Sequence, residues 1–180
     1  MASNISTIKN KLSGGGARPN LFKVDMTYPT GIKGGNEDIL VKAAGLPSSN
    51  LGVIEVPVRG ITLKVAGDRT FDTWTITILN DTDFILRQAF EKWMSTIRKL
   101  TDNSGNSAPG AYIVDGVKVT QLARDETELR AYIFEGVFPT NISQIDVSSD
   151  STDTIEEFTV ELQVQSYRID KASGTAPSVS

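Results

Sequence analysis

Glu157-Phe-Thr-Val-Glu-Leu-Gln-Val-Gln-Ser-Tyr167 places Phe158, Val160, Leu162 and Val164 on one face of an extended chain and Thr159, Glu161, Gln163 and Gln165 on the other. The period is two, that of a half-buried strand, where a helix would repeat every 3.6 residues. The same alternation recurs along the chain. Leu21 to Tyr28 groups Phe22, Val24 and Met26, and Ile61, Leu63 and Val65 alternate with Thr62 and Lys64. Trp74, Ile76 and Ile78 alternate with Thr73, Thr75 and Thr77, and Val117 to Leu122 and Leu129 to Phe138 follow the same rule. Ile39 to Ala44 and Val53 to Val58 alternate less regularly, and Pro57 confines the latter to an edge, a bulge or a loop hairpin because it lacks an N–H for a ladder. Six to eight strands are expected.

One segment breaks the pattern. From about Thr82 to Leu100, Leu86, Ala89 or Phe90, Trp93, Ile97 and Leu100 recur at spacings of three and four, which predicts an amphipathic helix. Asp81 and Asp83 stand where an N-terminal cap belongs, Arg98 and Lys99 fall in the expected last turn, and Arg87 and Glu91 are placed to pair. Many strands and one helix predict a mainly β fold, an antiparallel β-barrel or sandwich of two packed sheets with one flanking α-helix. A parallel α/β sheet would need more crossover helices.

The 180 residues suit one domain with loose ends. Residues 1–16 are expected to be a flexible N-terminal arm, basic through Lys9 and Lys11 and glycine-rich at Ser13-Gly-Gly-Gly16. Residues 17–170 form the barrel domain, and 171–180 a polar C-terminal tail. No apolar run approaches a membrane span and no secretory pattern opens the chain, so folding in a cytoplasm and no membrane anchoring are expected.

Cysteine and histidine are both absent. That excludes Cys/His zinc sites, thiol nucleophiles, disulfides and an imidazole base for a serine nucleophile. Gly14-Gly-Gly16 follows no strand and lacks the Lys-Ser/Thr of a phosphate loop, and the acidic residues between Asp146 and Glu161 lack calcium-loop spacing. Asp68 and Asp72 are in Gly67-Asp-Arg-Thr-Phe-Asp72, where Gly67-Asp68 reads as a tight turn with Arg69 paired to an acid. Trp74 and Trp93 read as core anchors. No catalytic, cofactor-binding or metal-binding residue is expected, nor any cofactor. The net charge of −4 opposes adhesion to phosphates.

Six short stretches stand in a fixed order: Ala17-Arg-Pro-Asn-Leu-Phe22, Leu46-Pro47, Ala66-Gly-Asp-Arg-Thr-Phe-Asp72 running into Trp74-Thr-Ile-Thr-Ile78, and Asn80-Asp81. Gln121-Leu-Ala-Arg-Asp125 and Gly136-Val-Phe-Pro-Thr-Asn141 complete them. This ordered set resembles the major tail tube proteins of contractile-tailed bacteriophages. The chain departs from the pattern in a longer arm, a longer tail and an extended Gly31-to-Asn36 hairpin. The resemblance implies homohexameric rings stacked into a hollow tube inside a contractile sheath. The needle tube of type VI secretion is similar in architecture. The partners implied are copies of itself, the tail sheath protein, baseplate and tail terminator proteins, and the tape measure protein and genomic DNA in the lumen. The location implied is the virion, after assembly in a bacterial host. The segments, with the Leu46-to-Gly52 connection, supply candidate interface residues: Arg18, Pro19, Asn20, Phe22, Leu46, Pro47, Asn50, Asp68, Arg69, Phe71, Asp72, Arg124, Asp125, Pro139 and Asn141. Of these, Arg18, Asp68, Arg69, Arg124 and Asp125 are expected in buried pairs or at the interface. Leu46 to Gly52, read as a long connection, is the candidate for ring stacking together with the arm. The alternatives are an initiator or adaptor ring at a baseplate, the tube of a phage-derived injection system, and, from another class, a soluble ligand-binding β-barrel.

Overall fold

The computed structural model describes residues 5–11, 17–35, 40–102, 104–105, 108–150 and 154–170. Among the described residues ten strands are present: β1 (Phe22–Asp25), β2 (Val41–Ala44), β3 (Asn50–Val58), β4 (Ile61–Thr70), β5 (Trp74–Leu79), β6 (Val117–Leu122), β7 (Glu128–Glu135), β8 (Phe138–Ile142), β9 (Glu157–Gln163) and β10 (Ser166–Asp170). The helices among these residues are α1 (Ile5–Lys11) and α2 (Ile85–Ile97), with a 3-10 turn at Pro109–Ala111. All ladders are antiparallel, in two four-stranded sheets ordered β1-β6-β7-β10 and β2-β5-β9-β8, and β3 and β4 pair only with each other.

The strand count exceeds the expectation because two long alternating runs each bend from one sheet into the other. The Leu129-to-Phe138 run divides at Gly136, whose φ of +68° is left-handed, and continues as β8 in the second sheet. The Glu157-to-Tyr167 run divides at Val164-Gln165, there without a left-handed residue. These two bent ribbons pair as β7 with β10 and as β8 with β9, so they join the sheets at one corner. Alternating apolar side chains then meet between the layers. Trp74, Ile76, Ile78, Phe158, Val160 and Leu162 of one sheet face Val24, Val117, Val119 and Phe134 of the other, all buried.

Helix α2 closes an open side. Leu86, Ala89, Phe90 and Trp93, spaced three and four apart, are its buried residues, and Trp93 Nε1–H donates to the Tyr112 carbonyl at 2.7 Å. Both tryptophans are core anchors, since Trp74 Nε1–H likewise donates to the Gly45 carbonyl. The helix is shorter than expected at both ends. Phe84, left-handed at φ 54°, occupies the N-cap with no side-chain bond, and Asp81 instead accepts from the Thr82 amide and hydroxyl in the preceding turn. Arg98 is already extended, so Lys99 and Leu100 lie beyond the helix and Leu100 is not part of its buried stripe. The Arg87–Glu91 pair forms at 3.0 Å. The arm contains α1, which the sequence reading did not anticipate, because seven residues carry too short a pattern to register. Its glycines and the 171–180 tail lie outside the described residues.

Candidate assembly interface

The β3–β4 ribbon departs most from an ordinary subunit. Its tip, Arg59-Gly60, has positive φ at both residues (49° and 85°), the geometry of a two-residue type I′ turn that keeps a right-handed twist. The register pairs Ile54 with Val65, Val56 with Leu63 and Val58 with Ile61. Period two therefore puts these six side chains on one face. Every one is exposed, from 41% at Val56 to 76% at Ile61. The other face is mixed, with Glu55 bridged to Lys64 at 3.1 Å and Pro57 opposite Thr62. A two-stranded ribbon alone in water is marginal, and an apolar face with no partner calls for a cover.

Near the root, Gly52 and Gly67 come so close that a Cβ on Gly67 would lie 3.2 Å from the Gly52 backbone, next to a register shift between Leu51 and Val53. This corrects the reading of Gly67-Asp68 as a tight turn. Glycine serves backbone approach inside β4, while the turn is at Arg59-Gly60. Asp68 and Arg69 ride on this ribbon, exposed, and no described carboxylate lies within ion-pairing distance of Arg69. The stretch Leu46 to Gly52 is likewise not a plain connection, since Asn50 already begins β3.

Asp72 ties the root to the barrel. Its carboxylate accepts from Ser48 Oγ at 2.6 Å and Asn50 Nδ2 at 2.8 Å. Leu46, Pro47, Phe71 and Asp72 border a small cleft of about 190 Å³ above Trp74, and Phe71 meets Tyr167 edge-on at 5.4 Å. Five candidates (Leu46, Pro47, Asn50, Phe71 and Asp72) therefore meet at one place.

A second group gathers at one end of the first sheet. The Leu122 amide donates to the Leu21 carbonyl, and Gln121 Nε2 donates to the carbonyls of Arg18 and Leu21, which ties residues 18–22 to the end of β6. Arg18, Pro19 and Asn20 are exposed and Phe22 packs against the core. Arg124 and Asp125 follow β6 in an exposed turn, where Asp125 accepts from the Thr127 hydroxyl at 2.7 Å. The Thr127 hydroxyl and then the Thr127 amide hold the Asp125 carboxyl below its ordinary value. Asp125 thus serves an intrachain turn. None of Arg18, Asp68, Arg69, Arg124 and Asp125 is buried in the subunit, which corrects the expectation of buried pairs. Long or acidic side chains in turns and on a projecting ribbon have no second layer to cover them.

Pro139 and Asn141 lie on β8, at a sheet edge, Pro139 buried opposite Leu162 and Asn141 exposed opposite Glu161 across a register shift. With Asp68 and Arg69 counted at the ribbon root, where Arg69 pairs with Leu51, the candidates fall in three places and the structure does not unite them. The apolar ribbon face was missed. Ile61, Leu63 and Val65 alternate as a core strand does, and sequence alone does not reveal that no second layer faces them.

The outward face of the β2-β5-β9-β8 sheet carries Thr73, Thr75, Thr77, Thr159 and Gln163, with Glu161 opposite Thr75 and Lys42 paired to Glu157. The outward face of the other sheet holds Lys23, Lys118 and Arg168, bridged to Asp25, Glu128 and Glu135. Among the described residues no group of three or more carboxylates is placed to hold a metal ion.

Comparison with known proteins gives one consistent result. The model of a family described as phage tail tube protein matches residues 17–170. Tail tube protein gp19 of Enterobacteria phage T4 is 36% identical over 151 residues, covering 83% of this chain and 90% of that relative. Its namesake from Enterobacteria phage T6 is 37% identical over 154 residues with the same coverage. Among solved structures, a chain of the anti-feeding prophage baseplate superposes with a TM-score of 0.67 at 15% identity, covering 88% of this chain and 97% of that one. A chain of the sheath–tube complex of an extracellular contractile injection system does so at 0.55 and 16%, covering 94% and 99%.

Proposed function

The chain belongs to the phage tail tube protein family, and from that premise we propose that it polymerises into hexameric rings stacked as a hollow conduit. It is a structural protein of a phage tail tube and not an enzyme. The observation that carries the polymer is the β3–β4 ribbon, whose six-residue apolar face no described part of the subunit covers. A second copy is the cover a self-assembling protein always has to hand. Strands β1, β2, β8 and β10 end their sheets with unpaired edges, and closing a ring of copies removes such edges. Six copies per ring follow the 6-fold symmetrised baseplate that contains the fold neighbour.

The bore is lined by the Thr- and Gln-rich outward face of the β2-β5-β9-β8 sheet. Its one lysine is already paired and Glu161 adds negative charge, so DNA passing through meets no free cation. The ion-paired face of the other sheet then looks outward. Sheath, baseplate, tail terminator and tape measure proteins are the further partners, and the three clusters of candidate residues are contacts between subunits. Replacing Val56 and Leu63 by Asp tests the reading. Sedimentable polymer is lost while the circular dichroism of the subunit is unchanged; polymer of normal length from this variant contradicts it.

A further inference from the structure

The apolar ribbon face needs a receptor, and the same chain supplies a surface of the opposite shape. Between the C-terminal half of α2 and strand β8 lies a groove of about 590 Å³ lined by Met94, Ile97, Leu100, Pro139 and Ile142, with Glu91 at its margin. That volume holds several aliphatic side chains. Leu100 is 95% exposed. It is held there by a built turn: the Asp102 carboxylate accepts from the amide and hydroxyl of Ser104, the Lys99 amide donates to the Ser104 carbonyl at 2.7 Å, and Gly105 lies so close that a Cβ would overlap the Ile97 carbonyl. Leu100 thereby extends the apolar lining of Met94, Ile97, Pro139 and Ile142 into one contiguous exposed surface, and such a patch marks a contact made elsewhere.

We infer that the groove between α2 and β8 is the receptor for the tip of the β3–β4 ribbon of a second copy, with Val58 and Ile61 entering beside Leu100. The inference rests on the polymer reading above and specifies its contact. The ribbon and the groove leave each other exposed within one subunit, so the fit is satisfied only between copies. Ribbon on one side and groove on the other make a heterologous contact, which extends from copy to copy and does not stop at a pair. The charges agree with it. Arg59 at the tip, which makes no ion pair among the described residues, can meet the half-exposed carboxylate of Glu91 at the margin of the groove.

The absence of cysteine makes the test clean. The double variant Val58→Cys/Leu100→Cys, assembled and treated with a short bis-maleimide, yields covalent ladders in the pelleted polymer and none in dilute unassembled protein. The control Val58→Cys/Ile155→Cys, which pairs the tip with an exposed apolar residue of the β8–β9 loop, yields none. Ladders through position 155, or polymer with no ladder through position 100, overturn the receptor and leave the polymer reading standing. A parent chain that forms no polymer overturns both. As an independent measurement, Leu100→Asp lowers the yield of polymer at least tenfold without changing the unfolding midpoint of the subunit; an unchanged yield also overturns the receptor.

Discussion

Gly136 stands where one ribbon turns from the first sheet into the second, at φ +68° and with a place for a Cβ only 2.5 Å from Gln165 Cβ. Its amide donates to Asp115 Oδ1 at 2.7 Å, so the bend is fixed from both sides. Gly136→Ala has both strained backbone and overlap, and is expected to lose about 2–3 kcal/mol. Urea unfolding measures this as a lower midpoint at unchanged slope. Asp125 gives a prediction in pH. Its folded pKa lies below the ordinary 3.8, so its contribution is present above that value and fades as pH falls through the folded one. Parent and Asp125→Asn should therefore differ in stability at neutral pH and converge in acid; a gap that persists unchanged in acid contradicts the role given to Thr127.

At the scale of elements, α2 and the β3–β4 ribbon are expected to respond in opposite ways. Trp93→Ala empties a fully buried site and costs about 3–5 kcal/mol in the subunit. Ribbon substitutions leave the subunit unfolding midpoint unmoved and act on assembly alone. The strands of the barrel were legible because period two records one buried face, as at Glu157 to Gln163 and at Val117 to Leu122. The helix was legible by its stripe, but its ends were not. Asp81 and Asp83 look like caps, yet the left-handed Phe84 decides the start, and Leu100 continues a helical spacing that the backbone has already left. The two bends were hidden because alternation persists through them, and only Gly136 interrupts the run at one. For the proposed interface, sequence singled out the root of the ribbon through Leu46, Pro47, Phe71 and Asp72. It passed over the ribbon face because an apolar strand reads the same whether its cover comes from its own chain or another.

At the scale of the whole molecule, two sheets with different outward faces suit a wall with an inside and an outside. Thr75→Lys with Glu161→Lys puts cations on the face assigned to the bore and is expected to leave tubes intact while strengthening their retention of DNA at low salt. Equal retention by parent and variant tubes would place that face elsewhere. In the proposed tube the subunit's unpaired edges and its apolar ribbon are completed by other copies. Electron microscopy of the purified chain across a range of concentrations tests this most directly. A hollow polymer of uniform width, each subunit's ribbon lying on a neighbour, is the predicted image; single subunits at every concentration, with the ribbon still in solvent, would contradict it.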